Sequence, residues 1–136
     1  MRLWPVDPRL LCRKHLLGEH VETHMMVGSL NRGISMDGFY SRGLIDTRLI
    51  RARHDAVGAE MGTRGYQHAS PLSPFIDPRR GHLAAGAGAD LCRRCVECAE
   101  LASGGATGHT EATLWAAAPV TSPEPRRATE GHLAIQ

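Results

Sequence analysis

The sequence predicts an all-α fold: a compact helical domain around one long central helix, followed by a poorly ordered C-terminal tail. Aromatic residues make up only 4% of a chain that is 42% hydrophobic. A core must therefore come from Leu, Ile, Val, Ala and Met, with few of the β-branched and aromatic runs that strands favour. Two segments carry helix start and stop residues around apolar positions spaced by three and four. Beyond Ser103 the chain turns to Gly, Ala, Thr, Pro and Glu, too poor in bulky apolar groups to offset the entropy of ordering. With 136 residues there is room for one modest core. The expected organisation is a helical domain over residues 1–76, a linker and short Cys-rich helix over 77–102, and a disordered tail over 103–136.

Asp7 can cap and Pro8 is preset for a first turn, while Asn31, Arg32 and Gly33 form a stop. Together they predict one helix of about 23 residues. At 100° per residue, Leu10, Leu17, Val21, Met25 and Gly28 share a face, the expected packing stripe. His15, Glu19, Glu22 and Met26 form a second, narrow stripe, and Arg13, His20 and His24 a third. Residues 31–45, NRGISMDGFYSRGLI, read as a long loop carrying Arg32, Tyr40 and Arg42. Asp46 or Thr47 caps a second helix running to about Arg64, with Leu49, Ile50, Arg53, Val57 and Met61 on one side and Gly65 as a left-handed terminator. The prolines of YQHASPLSP end any regular element. Residues 77–88 read as a linker, and one further helix is expected at 89–102, ADLCRRCVECAELA.

No run of apolar residues is long enough for a membrane span, and MRLWPVDPRL lacks the apolar centre of a signal peptide. The expected location is cytoplasmic, where thiols stay reduced, so the four cysteines are first read as free thiols or metal ligands. Charge is uneven: residues 1–80 carry 12 Lys/Arg against 8 Asp/Glu, and residues 81–136 carry 4 against 6. Lys14 is the one lysine among the 16 basic residues. That arginine bias suits bidentate phosphate contacts and can equally reflect genome composition.

HLLGEHVETH, residues 15–24, places three histidines and two glutamates in ten positions. Glu19 and Glu22 on adjacent turns beside His15 can disfavour joint ionisation and leave one carboxyl suited to proton transfer; the plainer reading is a solvated helix face. His20 and His24 have the i, i+4 spacing of a metal-binding face, but HVETH is not HExxH and no third ligand stands out. They are expected to pack at a helix contact or face a polyanion. In CRRCVEC, Cys92, Cys95 and Cys98 can hold zinc or an iron–sulfur cluster, with Cys12, His82 or His109 as a fourth ligand. Otherwise they serve as small apolar residues on a helix.

RLWPVDPRLLCRKHLLGEHVETH, followed some thirty residues later by RHDAVGAEMGTRGYQHASPL, resembles the pyrimidine dimer DNA glycosylases, the group that includes bacteriophage endonuclease V. The likeness covers residues 1 to about 72. It implies a compact all-α domain and a DNA-repair glycosylase with abasic-site (AP) lyase activity on damaged pyrimidines. In this family the α-amine of the first residue attacks the anomeric sugar carbon, expels the base and forms an imine, from which β-elimination cuts the strand. By resemblance the catalytic groups are the Met1 amine and Glu22. An α-amine, at about 7.7–8.0, is a far weaker base than a lysine amine, so a useful fraction of such groups is nucleophilic at cellular pH. His15 and Glu19 match groups near the lesion, and Arg2, Arg13, Arg32, Arg42 and His68 are candidates for DNA contact. Val21 and Met25 stand where the phage enzyme has arginines.

The implied partner is damaged double-stranded DNA, with no membrane, the chain acting as a monomer and no cofactor needed for catalysis. A non-enzymatic metal-containing nucleic-acid-binding module and an inactive relative of the glycosylases are the alternatives.

Overall fold

In the computed structural model, which describes residues 1–104, five α-helices and two short 3-10 turns follow an extended N-terminal segment. The helices are α1 (Arg13–Asn31), α2 (Asp37–Ser41), α3 (Ile50–Thr63), α4 (Ala87–Arg94) and α5 (Val96–Gly104). Among the described residues there is no strand, only an isolated antiparallel bridge between Asp46 and Gly81. The all-α expectation holds. The disorder expected of the tail falls almost wholly on 105–136, which lies outside the described residues.

The single helix expected from Asp7 to Asn31 is interrupted. Asp7 accepts the Arg9 amide at 2.9 Å and so caps only the turn Pro8–Leu10; Leu11 and Cys12 are then extended, with ψ of 134° and 164°. The guanidinium of Arg64 makes the break tolerable by donating to the carbonyls of Pro8, Arg9 and Leu11 at 3.2, 3.2 and 2.7 Å, acceptors that a continuous helix would have filled itself. Arg64→Ala is therefore expected to cost about 1–3 kcal/mol, read as a lower denaturant midpoint with an unchanged slope.

The packing face of α1 also differs from the expectation. Val21 and Met25 are 55% and 49% exposed, whereas Leu16, Glu19, His20, Thr23, Met26 and Val27 are buried. Hydropathy selects the wrong face because α3 sets Arg53 against Glu19, and the N-terminal segment supplies the Trp4 amide, so the polar groups are satisfied inside. Of the side expected to face inward, Ile50, Arg53, Val57 and Met61 are buried on α3, while Leu49 is half-buried in the 3-10 turn Thr47–Leu49 that precedes it.

The extended N-terminus feeds both halves of the core. Leu3 joins Met26, Val27, Met36, Tyr40, Ile45, Ile50 and Leu72, while Trp4 joins Leu11, Leu16, Val57, Met61 and Leu91. The loop expected at 31–45 contains α2, which contributes Tyr40 to the first cluster. Residues 77–84, expected as linker, lie along the chain before α3: the Thr47 amide donates to the Arg80 carbonyl at 3.0 Å and the Ala84 amide to the Gly43 carbonyl at 2.9 Å. Gly81 allows this approach, since at φ +87° a Cβ would run into the Ile45 carbonyl. The one helix expected at 89–102 is two, separated at Cys95, whose φ of −131° and ψ of 111° are extended.

Candidate active site and metal centre

Two carboxylates one turn apart on α1 anchor the start of the chain. The Arg2 amide donates to Glu22 Oε2 at 3.2 Å and the Trp4 amide to Glu19 Oε1 at 2.9 Å. Covalent geometry puts the Met1 nitrogen within about 4 Å of the Arg2 nitrogen. Glu22 is half-buried and faces a cleft of about 340 Å³ bounded by Arg2, Trp4, Lys14, His15, Glu19 and Glu22. A larger open groove of about 750 Å³ runs past Arg13, Tyr66 and Glu100, and Glu22 does not line it.

Glu19 has different surroundings from Glu22. Expected near the DNA lesion, it is 1% exposed, and both oxygens are held by Arg53, at 2.6 and 2.8 Å. Burial pushes its carboxyl up, against the opposing pull of the Arg53 guanidinium and the Trp4 amide. Arg53 also donates to the Val6 carbonyl at 2.6 Å, so one buried guanidinium ties α3, α1 and the N-terminal segment together. The sequence marks this residue only as a charge within the apolar side of a helix, a pattern that calls for a buried partner.

The other expected DNA-contacting residues are spread over the surface. The Arg2 guanidinium lies 3.7 Å from the centre of the Trp4 ring and pairs with Asp90 of α4 at 3.6 Å; burial pulls its pKa down. Arg13 sits over Tyr66, 5.5 Å from the ring centre. Arg32 and Arg42 are exposed, each donating from Nε to a carbonyl one turn back, of Gly28 and Gly38, at 3.1 and 2.9 Å. His68 packs beside His20, its ring centre 4.7 Å away.

His15 reaches in two directions. Its edge meets the Trp4 ring at the cleft, while Nδ1 lies 3.1 Å from Cys12 Sγ and 3.5 Å from Cys98 Sγ. Cys12 Sγ is 3.8 Å from Cys95 Sγ, and ligand atoms of Cys12, His15, Cys95 and Cys98 all fall within 4.8 Å of one another. Tetrahedral zinc with Zn–S near 2.3 Å separates its sulfurs by about 3.8 Å, so this donor set fits the ion. Cys92 remains on α4 outside the group, where sequence spacing had placed it within. His82 is outside it too, and His109 lies outside the described residues. The break at Cys95 is what turns its sulfur toward Cys12 and away from the Cys92 face. The Cys98 amide donates to Cys95 Sγ and pulls that thiol down, while burial pushes Cys98 up to about 12.

The model of the family described as pyrimidine dimer DNA glycosylase matches residues 1–74, the span that holds the terminus, Glu22 and the Arg53 clamp. The chain belongs to the pyrimidine dimer DNA glycosylase family. Membership implies a DNA-repair glycosylase role with damaged DNA as substrate. Comparison with curated proteins and with solved structures finds no match. Among the described residues no helix of this chain is long and apolar enough to cross a membrane. The matched span contains Cys12 and His15, whereas Cys95 and Cys98 lie on the segment beyond it.

Proposed function

We propose that this glycosylase removes a damaged pyrimidine and cuts the resulting abasic strand through an imine on the Met1 amine, with Glu22 as the supporting carboxylate. The hydrogen bond from the Arg2 amide to Glu22 carries the reading, because it holds the first peptide of the chain against the acid that must act on the same sugar. The amine attacks C1′, and the glycosidic bond breaks, its electron pair leaving with the base. Ring opening gives a protonated imine, loss of a C2′ proton expels the 3′ phosphate by β-elimination, and water then hydrolyses the imine to free the amine. Glu22 stabilises the positive charge that develops at C1′ and the imine, and moves protons at the sugar. Exposed Val21 and Met25 beside it offer apolar contact to an unstacked base where the phage enzyme offers charge.

Borohydride reduction during incubation with abasic duplex should trap a covalent protein–DNA complex. A short N-terminal extension, which converts the amine into an amide, should abolish trapping; equal trapping with and without the extension would contradict the assignment.

We further propose that Cys12, His15, Cys95 and Cys98 hold one zinc ion that staples α4 and α5 to the glycosylase domain. Three thiolates and one imidazole are a closed structural zinc set, whereas iron–sulfur clusters generally take four cysteines. Cys98→Ser is expected to lower zinc content by close to one equivalent. Its melting temperature should fall by roughly 4–8 °C per kcal/mol lost. An unchanged zinc content would rule out the site.

A further inference from the structure

Four histidines on three segments meet where α1 packs on α3, away from the thiols, with His20 and His54 buried, His24 half-buried and His68 exposed. His20 and His24 come from successive turns of α1, His54 from α3, and His68 from the segment that follows α3. Their ring centres are 4.7 Å (His20 to His68), 4.8 Å (His20 to His24), 4.9 Å (His24 to His54), 5.1 Å (His20 to His54) and 5.2 Å (His54 to His68) apart. Ligand atoms of His20, His54 and His68 fall within 4.8 Å of one another.

We propose that His20, His54 and His68, with His24 as a fourth ligand, form a second metal site that takes a divalent transition metal such as zinc. The Nε2 atoms of His20, His24 and His54 are all buried and have no hydrogen-bond partner. His20 and His54 are themselves only 9% and 2% exposed. Leaving buried polar nitrogens unpaired is costly, and three in one place would be an expensive way to pack a core. A shared cation satisfies all of them.

The His54 ring is also preset for ligation. Asp55 Oδ1 lies 3.0 Å from His54 Nδ1, so the carboxylate accepts the Nδ1 proton and leaves the Nε2 lone pair facing the cluster, the arrangement that carboxylates impose on metal-bound histidines. An all-imidazole set favours zinc, copper, nickel or iron over calcium and magnesium, which prefer oxygen.

Gly58 keeps the site open. A Cβ there would lie 2.8 Å from His68 Cε1 and 3.0 Å from its Nε2, so the glycine is the floor on which the His68 ring rests. The bound metal would join α1, α3 and the segment leading to buried Leu72.

The test is a cobalt(II) titration of the full-length chain, followed by optical absorption, since thiolate-bound cobalt has a near-ultraviolet charge-transfer band that imidazole-bound cobalt lacks. Wild type should take two equivalents, one of them without that band. His68 is exposed, so His68→Ala, and likewise Gly58→Ala, should keep the helical circular dichroism and the thiolate band while weakening the second equivalent tenfold or more. A wild type that binds only the thiolate-type equivalent, or none, overturns the site. So does a His68→Ala variant that keeps both at full affinity. A single band-free equivalent lost in His68→Ala would support this site and exclude the cysteine one, leaving the glycosylase reading to its own trapping assay.

Discussion

Glu22→Gln is expected to lower both abasic-site cleavage and borohydride trapping by about 10²–10⁴-fold, the range removed with a positioned acid or base. The substitution keeps an oxygen that can accept the Arg2 amide bond seen at 3.2 Å, so the terminus should stay in place and folding should be nearly unaffected. It removes the negative charge that stabilises the cationic sugar and the imine, an interaction stronger in the transition state than in bound DNA. The loss should therefore appear in the rate of single-turnover cleavage, with DNA affinity little changed. A variant that cleaves and traps like wild type would contradict the assignment and favour an inactive relative of the family.

Arg53→Met carries the largest expected cost to stability. It leaves the Glu19 carboxylate fully buried, without the guanidinium that holds both of its oxygens. Breaking a buried pair by removing one partner typically costs about 3–5 kcal/mol, a large share of the roughly 5–15 kcal/mol that holds a domain together. Replacing both partners, as Arg53→Met with Glu19→Leu, should recover part of the loss because no buried charge remains. Recovery will be incomplete, since the Trp4 amide and the Val6 carbonyl lose their partners. Equilibrium denaturation of wild type, single and double variants measures this. A single variant within about 1 kcal/mol of wild type, the range of exposed pairs, would show that the pair is not desolvated.

The sequence conveys the helical class and the C-terminal end of α3, because Gly65 is a left-handed stop that needs only neighbouring residues; Asp46 caps the 3-10 turn Thr47–Leu49, and α3 begins after it at Ile50. The inward side of α1 is not legible in the same way. Val21 and Met25 outrank Glu19 and His20 in hydropathy, yet partners distant in sequence, Arg53 and the Trp4 amide, decide which side is buried. The resemblance of HLLGEHVETH to its family points to Glu22 and Glu19 alike; what it does not convey is that Glu19 is buried with both oxygens on Arg53. For the cysteines, i, i+3 spacing relates Cys92 to Cys95 only if one helix runs through both. The extended backbone at Cys95 breaks that relation and brings in His15 and Cys12 from the far side of the chain. The histidine group escapes sequence reading for the same reason, since His54 and His68 join the α1 pair only after α3 has packed.

The central claim is that the chain's first nitrogen is the nucleophile held beside Glu22. Lys14, the one lysine of the chain, lines the same cleft, and lysine amines also form imines, so the decisive measurement is where the DNA becomes attached. Protein trapped on abasic DNA by borohydride, digested with protease and nuclease, should yield one modified peptide, with the reduced sugar on the Met1 nitrogen. The sugar on Lys14 instead, with Met1 unmodified, would contradict the account.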